Sequence, residues 1–496
     1  MSLTAQLPAL QVAVPLLTAP LVVLLRTAGL AWAAATAASL MAFAIAIALT
    51  LVVMEHGSVS YAMGSWPAPY GISLNIDALS AVVLLVVTGA SALGLLAGRA
   101  SLAAQIDEDR LFLFYAAWLV VLAGLSGITV TGDAFNVFVF MEIASLASYI
   151  LVAAGPDRRA LTATFKYLIV GTIGATFYLI GVGLVYMMTG TLNFVDMELR
   201  IAEVSDQRPI LVAAGFITVG LALKAAMFPL HVWLPNAYTY APHMVTAFLA
   251  ACSTKVAIYV LLRFDFLVFH GNLDDHVGQF ATFLAPLALL GILAGSAVAV
   301  VESNIKRLLA YSSVAQIGYI LLGASFSSEA GLTASVTHVF NHALAKGALF
   351  LAVACMAMRL GGLRLEDLAG AGRRMPWTSA ALVIAGASLV GIPGTAGFVS
   401  KWLLLQAAFA QGTLGTVAIV VVVASSLAAV IYVWRIVESV YFGTPKAGTD
   451  TVTEAPLPLV AGLWLAALAN VYFGLVPGLP VSLAETAGSD LLSHLR

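Results

Sequence analysis

The sequence predicts an all-α polytopic membrane protein of about fourteen transmembrane helices. Of 496 residues, 61% are hydrophobic and only 9% are charged, whereas an ordinary soluble domain carries about 25% charged residues. A spanning helix needs about 20 apolar residues, so the chain has room for a dozen or more. The cations, finally, fall on alternate connections between apolar runs. This composition excludes soluble, disordered, collagen-like and disulfide-stapled classes. The two cysteines, Cys252 and Cys355, lie in apolar runs and read as small core residues. A net charge of −2 provides no basic surface for nucleic acid.

A window of about 19 residues places the helices in order. Spans 8 to 25 and 30 to 53 flank Arg26; spans 76 to 98 and 111 to 130 flank Arg99 and Arg110. Spans 134 to 154 and 163 to 188 enclose Arg158 and Arg159, with Lys166 just beyond. Spans 209 to 228 and 244 to 266 are joined by a proline-rich segment, and 280 to 301 and 306 to 324 meet at Lys306 and Arg307. Spans 332 to 357 and 377 to 412, the latter broken, flank Arg359, Arg364, Arg373 and Arg374; spans 415 to 436 and 456 to 476 accompany Arg435 and Lys446. The opposite connections and the C-terminus carry only Arg200, Arg208, Arg263 and Arg496. Fourteen cations on one side against four on the other places both termini on the non-cytoplasmic side by the positive-inside rule. The start lacks the positive n-region of a cleavable signal peptide.

Four cations belong to neither set: Lys224, Lys255, Lys346 and Lys401. Of the acids, only Glu142 falls well inside a span. Ionisable residues within spans are costly and face a protein interior or water. All four membrane cations are lysines, which lose a proton readily on burial, and none is arginine, which does not. That choice suits sites that gain and lose protons. The rival reading is that lysines near span ends, Lys346 above all, snorkel to the interface.

Two of the lysines adjoin helix breaks. In LALKAAMFPLHVWLP, Pro229 cannot donate to the carbonyl of Ala225 and its ring crowds that turn. In LVGIPGTAGFVSKWLLL, Gly391, Pro393, Gly394 and Gly397 interrupt a second apolar run before Lys401. Irregular backbone at membrane depth is tolerated only inside protein or beside a watery cavity. Lys224 and Lys401 lie 177 residues and five spans apart, which fits a five-helix repeat carrying a transport site.

In THVFNHALAKGALF, His338, His342 and Lys346 recur at i, i+4 and i+8 and share one helix face, a spacing suited to a proton relay. A metal pair is a rival, but no nearby acid or cysteine completes it; two structural, hydrogen-bonded histidines are another. Glu142, flanked by Ser145, Ser148 and Tyr149, is expected to pair with a membrane lysine, because an unpaired buried carboxylate would instead take up a proton. A static ion pair is the rival there, and buried pairs add little net stability.

The segments MEIASLASYILVAAG, LALKAAMFPLHVWLPNAYTYAP, STKVAIYVLLRF, ESNIKRLLAYSSVAQIGY, THVFNHALAKGALFLA and GIPGTAGFVSKWLLL occur in the order of a known family. The sequence resembles the antiporter-like subunits shared by respiratory complex I, membrane-bound hydrogenases and Mrp-type cation/proton antiporters. That resemblance implies fourteen helices with two inverted five-helix repeats, each containing a broken helix. It makes Glu142 the acid of a first half-channel, Lys224 its lysine, Lys255 the central bridge, His338 and His342 members of the second half and Lys401 its terminal lysine. Lys346 falls where the family is often basic. Some complex I paralogues have glutamate where this chain has Lys401. Length, the lack of a long lateral-helix extension and the wording GDAFNVFVFMEIASLASYILVA look most similar to the D-type subunit of the Mrp antiporter.

The expected organisation is three spans in residues 1–110, a first repeat in 111–270, a second in 271–440, and one span with a tail in 441–496. The expected function is a proton-translocating subunit of a multisubunit Na⁺/H⁺ antiporter in a bacterial inner membrane: a transporter subunit rather than an enzyme, with no metal or cofactor. Its expected partners are the lipid bilayer and the other membrane subunits, Mrp A, B, C, E, F and G-like, with H⁺ and Na⁺ as the transported ions and no nucleic acid. The same unit in an NADH-quinone oxidoreductase or hydrogenase is the alternative. A stand-alone solute transporter or a structural anchor accounts less well for five ionisable residues in apolar spans.

Overall fold

A computed structural model describes residues 3–204, 206–269, 276–445 and 452–493. Lys446 and Arg496, two of the orienting charges, lie outside the described residues. The chain begins with α1 (Leu3–Leu25) and α2 (Ala28–His56), then a short hairpin of β1 (Val59–Ala62) and β2 (Ser73–Ile76). The next helices are α3 (Ala78–Ala103), α4 (Leu111–Val130), α5 (Ala134–Ala153), α6 (Arg159–Thr189) and the short α7 (Phe194–Ile201). A first interrupted segment consists of α8 (Arg208–Ala225) and α9 (Leu234–Tyr240); α10 (His243–Leu262) continues into a π-turn over Arg263–Val268. The remaining long helices of the middle are α11 (His276–Val301), α12 (Ile305–Ser325) and α13 (Glu329–Leu360). After the single turn α14 (Ala371–Arg374) comes a second interrupted segment, α15 (Pro376–Val390) and α16 (Ala396–Phe409). The last helices are α17 (Gly412–Phe442), α18 (Leu457–Leu475) and α19 (Gly478–Ser493).

Among the described residues, thirteen helices are long and apolar enough to cross a membrane. The consecutive apolar helices α15 and α16, of 15 and 14 residues, supply a further crossing in two pieces. Polar residues mark where the crossings begin. Asp77 caps α3 by accepting from the Ser80 N–H at 2.9 Å, Asp133 caps α5 through Asn136 at 2.7 Å, and Asn304 caps α12 through Arg307 at 3.2 Å. Sequence patterning anticipates neither the hairpin, α7 nor α19. The strands are only four residues each, α7 is only 8 residues long, and α19 is too polar to register as a span. The expected tail is therefore partly a helix, packed on α13 and α3.

The connections sort onto two faces. On one, Leu74 bridges Thr131 and Asp133 bridges Asn193, tying the hairpin to the loops after α4 and α6. On the other, Asn304 bridges Arg364, and Lys306 Nζ donates to the Ala241 carbonyl at 2.7 Å. Arg435 Nη1 donates to the Glu302 carbonyl at 3.1 Å on this second face, the one richer in cations. Helices α10 and α12 are buried along 94% of their most apolar stretch, against 28% for α17. The centre is therefore α10, α12 and α13, packed on one another.

Each break has a local cause. Helix α8 ends at Ala226, whose φ of +55° is left-handed, and Pro229 follows before the chain resumes as α9. Helix α15 ends at Gly391, where φ is +90°. A Cβ there would stand 2.9 Å from Lys401 Cδ, so this position requires glycine for both conformation and space. Gly391→Ala should lower the stability of the purified protein by about 1–3 kcal/mol in thermal unfolding; an unchanged transition would contradict the assignment.

Candidate proton-conducting site

The first interrupted helix brings two predicted residues together. Lys224, the penultimate residue of α8, places Nζ 3.5 Å from Glu142 Oε1 of α5, the ion pair expected of Glu142. It also donates to Ser145 Oγ at 2.8 Å, one turn along α5 from Glu142. The lysine side chain is 8% exposed and the glutamate 27%, so the pair lies at the edge of the subunit interior. Trp233, just past the break, donates its indole N–H to the Leu223 carbonyl at 2.9 Å, alongside the Ala226 N–H, which donates to the same carbonyl at 3.2 Å. Trp233 stacks on Tyr167 with centroids 4.3 Å apart, and Tyr167 meets Tyr149 edge-on at 4.7 Å. A cavity of about 40 Å³ adjoins Lys224 and is lined by Ser145, Ser148, Ser253 and Val256, among others. Its three serines, Tyr167 and Lys224 supply polar partners within a mainly apolar lining, and it is large enough for water.

Ser253 and Val256 belong to α10, as does Lys255, which is 1% exposed. Lys255 Nζ donates back to the Ala250 carbonyl at 2.5 Å. Its helix packs on α8 on one side and α13 on the other, so Lys255 sits on the element that joins the two interrupted regions.

In the second region His338, His342 and Lys346 share one face of α13 and are all buried. His338 is held at both nitrogens, Nδ1 with Ser400 Oγ at 2.8 Å and Nε2 with Gln316 Oε1 at 3.0 Å. The His342 ring stacks 5.9 Å from it, and neither of its buried nitrogens has a hydrogen-bond partner. Lys346 Nζ donates to the Leu309 carbonyl at 2.7 Å and to Ser312 Oγ. Lys401, on α16, reaches across the break to the last carbonyls of α15, Leu389 at 3.1 Å and Val390 at 2.8 Å, and to Ser426 Oγ at 3.2 Å. Those carbonyls are the negative end of the α15 dipole. Gly391, Pro393 and Gly394 form the connection that exposes them, and the Tyr319 ring lies 5.1 Å from the ammonium. Among the described residues no three His, Cys, Asp or Glu side chains converge as metal ligands.

Two cations assigned from sequence to loops belong to the interior. Lys306 is 1% exposed, in the first turn of α12, with its ammonium on the end of α9. Arg263 is 9% exposed and pairs with Asp77 at 2.5 Å. Position next to a span end makes them look like orienting charges. The only sequence signal against that reading is the apolar character of their neighbours.

A model of the NADH:quinone oxidoreductase/Mrp antiporter transmembrane family matches residues 131–428, which include every residue of this site. The chain belongs to this family. It is 41% identical over 463 residues to the N-type subunit of an NADH-quinone oxidoreductase of Desulforudis audaxviator, covering 92% of this chain and 90% of that one. It is 31% identical to the D-type subunit of a Na(+)/H(+) antiporter of Bacillus subtilis, covering 92% of each. A chain in the structure of the Mrp complex from Dietzia sp. DQ12-45-1b superposes with a TM-score of 0.91 at 28% identity, over 100% of this chain and 98% of that one. The protein is thus a multi-pass, antiporter-like subunit of the complex I/Mrp superfamily. The identity to the oxidoreductase relative exceeds that to the antiporter relative, so both branches bear on its function.

If Glu142 and Lys224 form the pair seen here, a double-mutant cycle of Glu142→Gln and Lys224→Met in thermal unfolding should give a coupling energy of about 1–3 kcal/mol. Additive effects would show that they do not interact.

Proposed function

We propose that this antiporter-like subunit translocates protons as part of a multisubunit Mrp-type exchanger of Na⁺ or another monovalent cation against H⁺. The observation that carries the proposal is the Glu142–Lys224 ion pair beside an interrupted helix, with water-sized space leading from it to the helix of Lys255. Protons enter the first half at this pair and pass to Lys255. They then cross to His342, with Lys346 and His338 on the same face of α13, and reach Lys401. Opening the pair removes the counter-charge of Lys224 and releases its proton onward; closing it recharges the lysine. His342, with two unengaged ring nitrogens in the interior, is suited to accept and return a proton.

The path is built from lysines, which repel cations when charged, so the exchanged cation crosses through a partner subunit. The expected partners are the other membrane subunits of the complex, Mrp A, B, C, E, F and G-like, in a bacterial inner membrane. On this reading the cation-rich face is cytoplasmic, and residues 111–270 and 271–440 act as the two half-channels. The similarity to the Mrp complex over the whole chain supports this assignment. A second reading has a specific observation behind it: the 41% identity to an oxidoreductase subunit supports the same proton path driven by redox partners. Co-purification with mass spectrometry separates the two, since small membrane subunits accompany an exchanger and redox subunits a pump.

Lys224→Ala and Glu142→Ala should each abolish Na⁺-dependent proton flux in everted membrane vesicles while the complex still assembles. Near-normal flux in either variant contradicts the path.

A further inference from the structure

On the hairpin face, a cavity of about 560 Å³ opens between the hairpin, the α4–α5 connection and α7. Exposed Ser60 and Pro69 lie on its walls, and buried Tyr259 and Arg263 line it from below. Beneath it is a connected polar layer. Arg263 Nη2 donates to Asp77 Oδ1 at 2.5 Å and to Ser80 Oγ at 3.0 Å, and its Nε donates to Tyr259 Oη at 3.2 Å. Tyr259 Oη and Ser80 Oγ are 3.1 Å apart, and the tyrosine hydroxyl donates to the Thr129 carbonyl at 2.7 Å.

This layer is thin. Ile128 and Val260 line the small cavity that holds Lys224, whereas their near neighbours Thr131 and Tyr259 line the large one. Neighbouring residues at the end of α4 and along α10 thus line the two cavities. Lys255, Tyr259 and Arg263 recur at i, i+4 and i+8, a single stripe along α10 from the centre to this layer. A purely mechanical tie between α3 and α10 would account for the Asp77–Arg263 pair. It would not account for a phenol and a hydroxyl interposed between two cavities.

We propose that the large cavity is a proton port of the first half on this face, and that Tyr259 and Ser80 are its relay with the Arg263–Asp77 pair as its gate. In each passage Tyr259 Oη accepts a proton from hydronium in the port, which leaves as water, and gives up its own toward water on the inner side, so the residue ends unchanged. This inference rests on the proton-path reading above, and the port is the entrance that leads to the Glu142–Lys224 pair.

The experiment measures proton flux in vesicles containing the whole complex. Asp77→Asn keeps an acceptor for the α3 cap but weakens the gate; it should raise cation-independent proton leak about tenfold. Tyr259→Phe keeps the ring and removes the relay, so it should lower coupled flux about a hundredfold, the low end of the effect typical of a positioned proton-transfer group. Combined, Tyr259→Phe should suppress the leak of Asp77→Asn. A mere tie between helices would not produce a leak that depends on the Tyr259 hydroxyl. No leak in Asp77→Asn, a leak indifferent to Tyr259→Phe, or unchanged coupled flux in Tyr259→Phe overturns the port. Lys224→Ala, measured in parallel, separates the two levels: if it abolishes flux while the port variants behave as wild type, only the port fails; if it leaves flux intact, the path itself fails.

Discussion

An ammonium group in the apolar interior of a helix bundle must find acceptors, because an unsolvated charge there costs several kcal/mol. Five buried lysines impose this requirement on the structure. Lys224 meets it with a carboxylate and a serine; Lys255, Lys306, Lys346 and Lys401 meet it with backbone carbonyls, two of them helped by serines. Carbonyls solvate a charge but do not neutralise it. Among these lysines, only Lys224 has a carboxylate at ion-pair distance within the described residues.

The helix breaks follow from the same requirement. A helix end leaves carbonyls without N–H partners and so offers a buried lysine acceptors beyond the intact helices whose carbonyls serve Lys255 and Lys346. Lys401 uses the end of α15 and Lys306 the end of α9. At the end of α8 the Leu223 carbonyl accepts from both the Ala226 N–H and the Trp233 indole, and Lys224 turns toward α5 and its acid. The two interrupted segments thus hold their lysines differently. At the first break the charge sits against a carboxylate, and at the second against a helix-dipole end.

Much of this is legible in the sequence because the composition is so apolar. A lysine in a run such as LALKAAMF has no solvent explanation, and prolines and glycines after it mark a break without reference to packing. The spacing of His338, His342 and Lys346 fixes their shared face but not their partners. Gln316 and Ser400, which hold His338, come from other helices and carry no local sign of doing so. Lys306 and Arg263 are misread from sequence because a cation at a span end looks the same whether it faces water or turns inward. Only the tertiary position of Ala241 and Asp77 decides that. The hairpin and α19 are hidden for a related reason, since their stability comes from packing on other helices rather than from periodicity.

Central to this mechanism is that Lys224 works by losing and regaining a proton, not merely by carrying a charge opposite Glu142. Arginine in its place preserves the charge and can still pair with the carboxylate, but it does not release its proton. The most direct measurement is therefore coupled proton flux in vesicles carrying the assembled complex with Lys224→Arg. The mechanism predicts a complex that assembles normally and translocates no protons; flux near the wild-type level would contradict it.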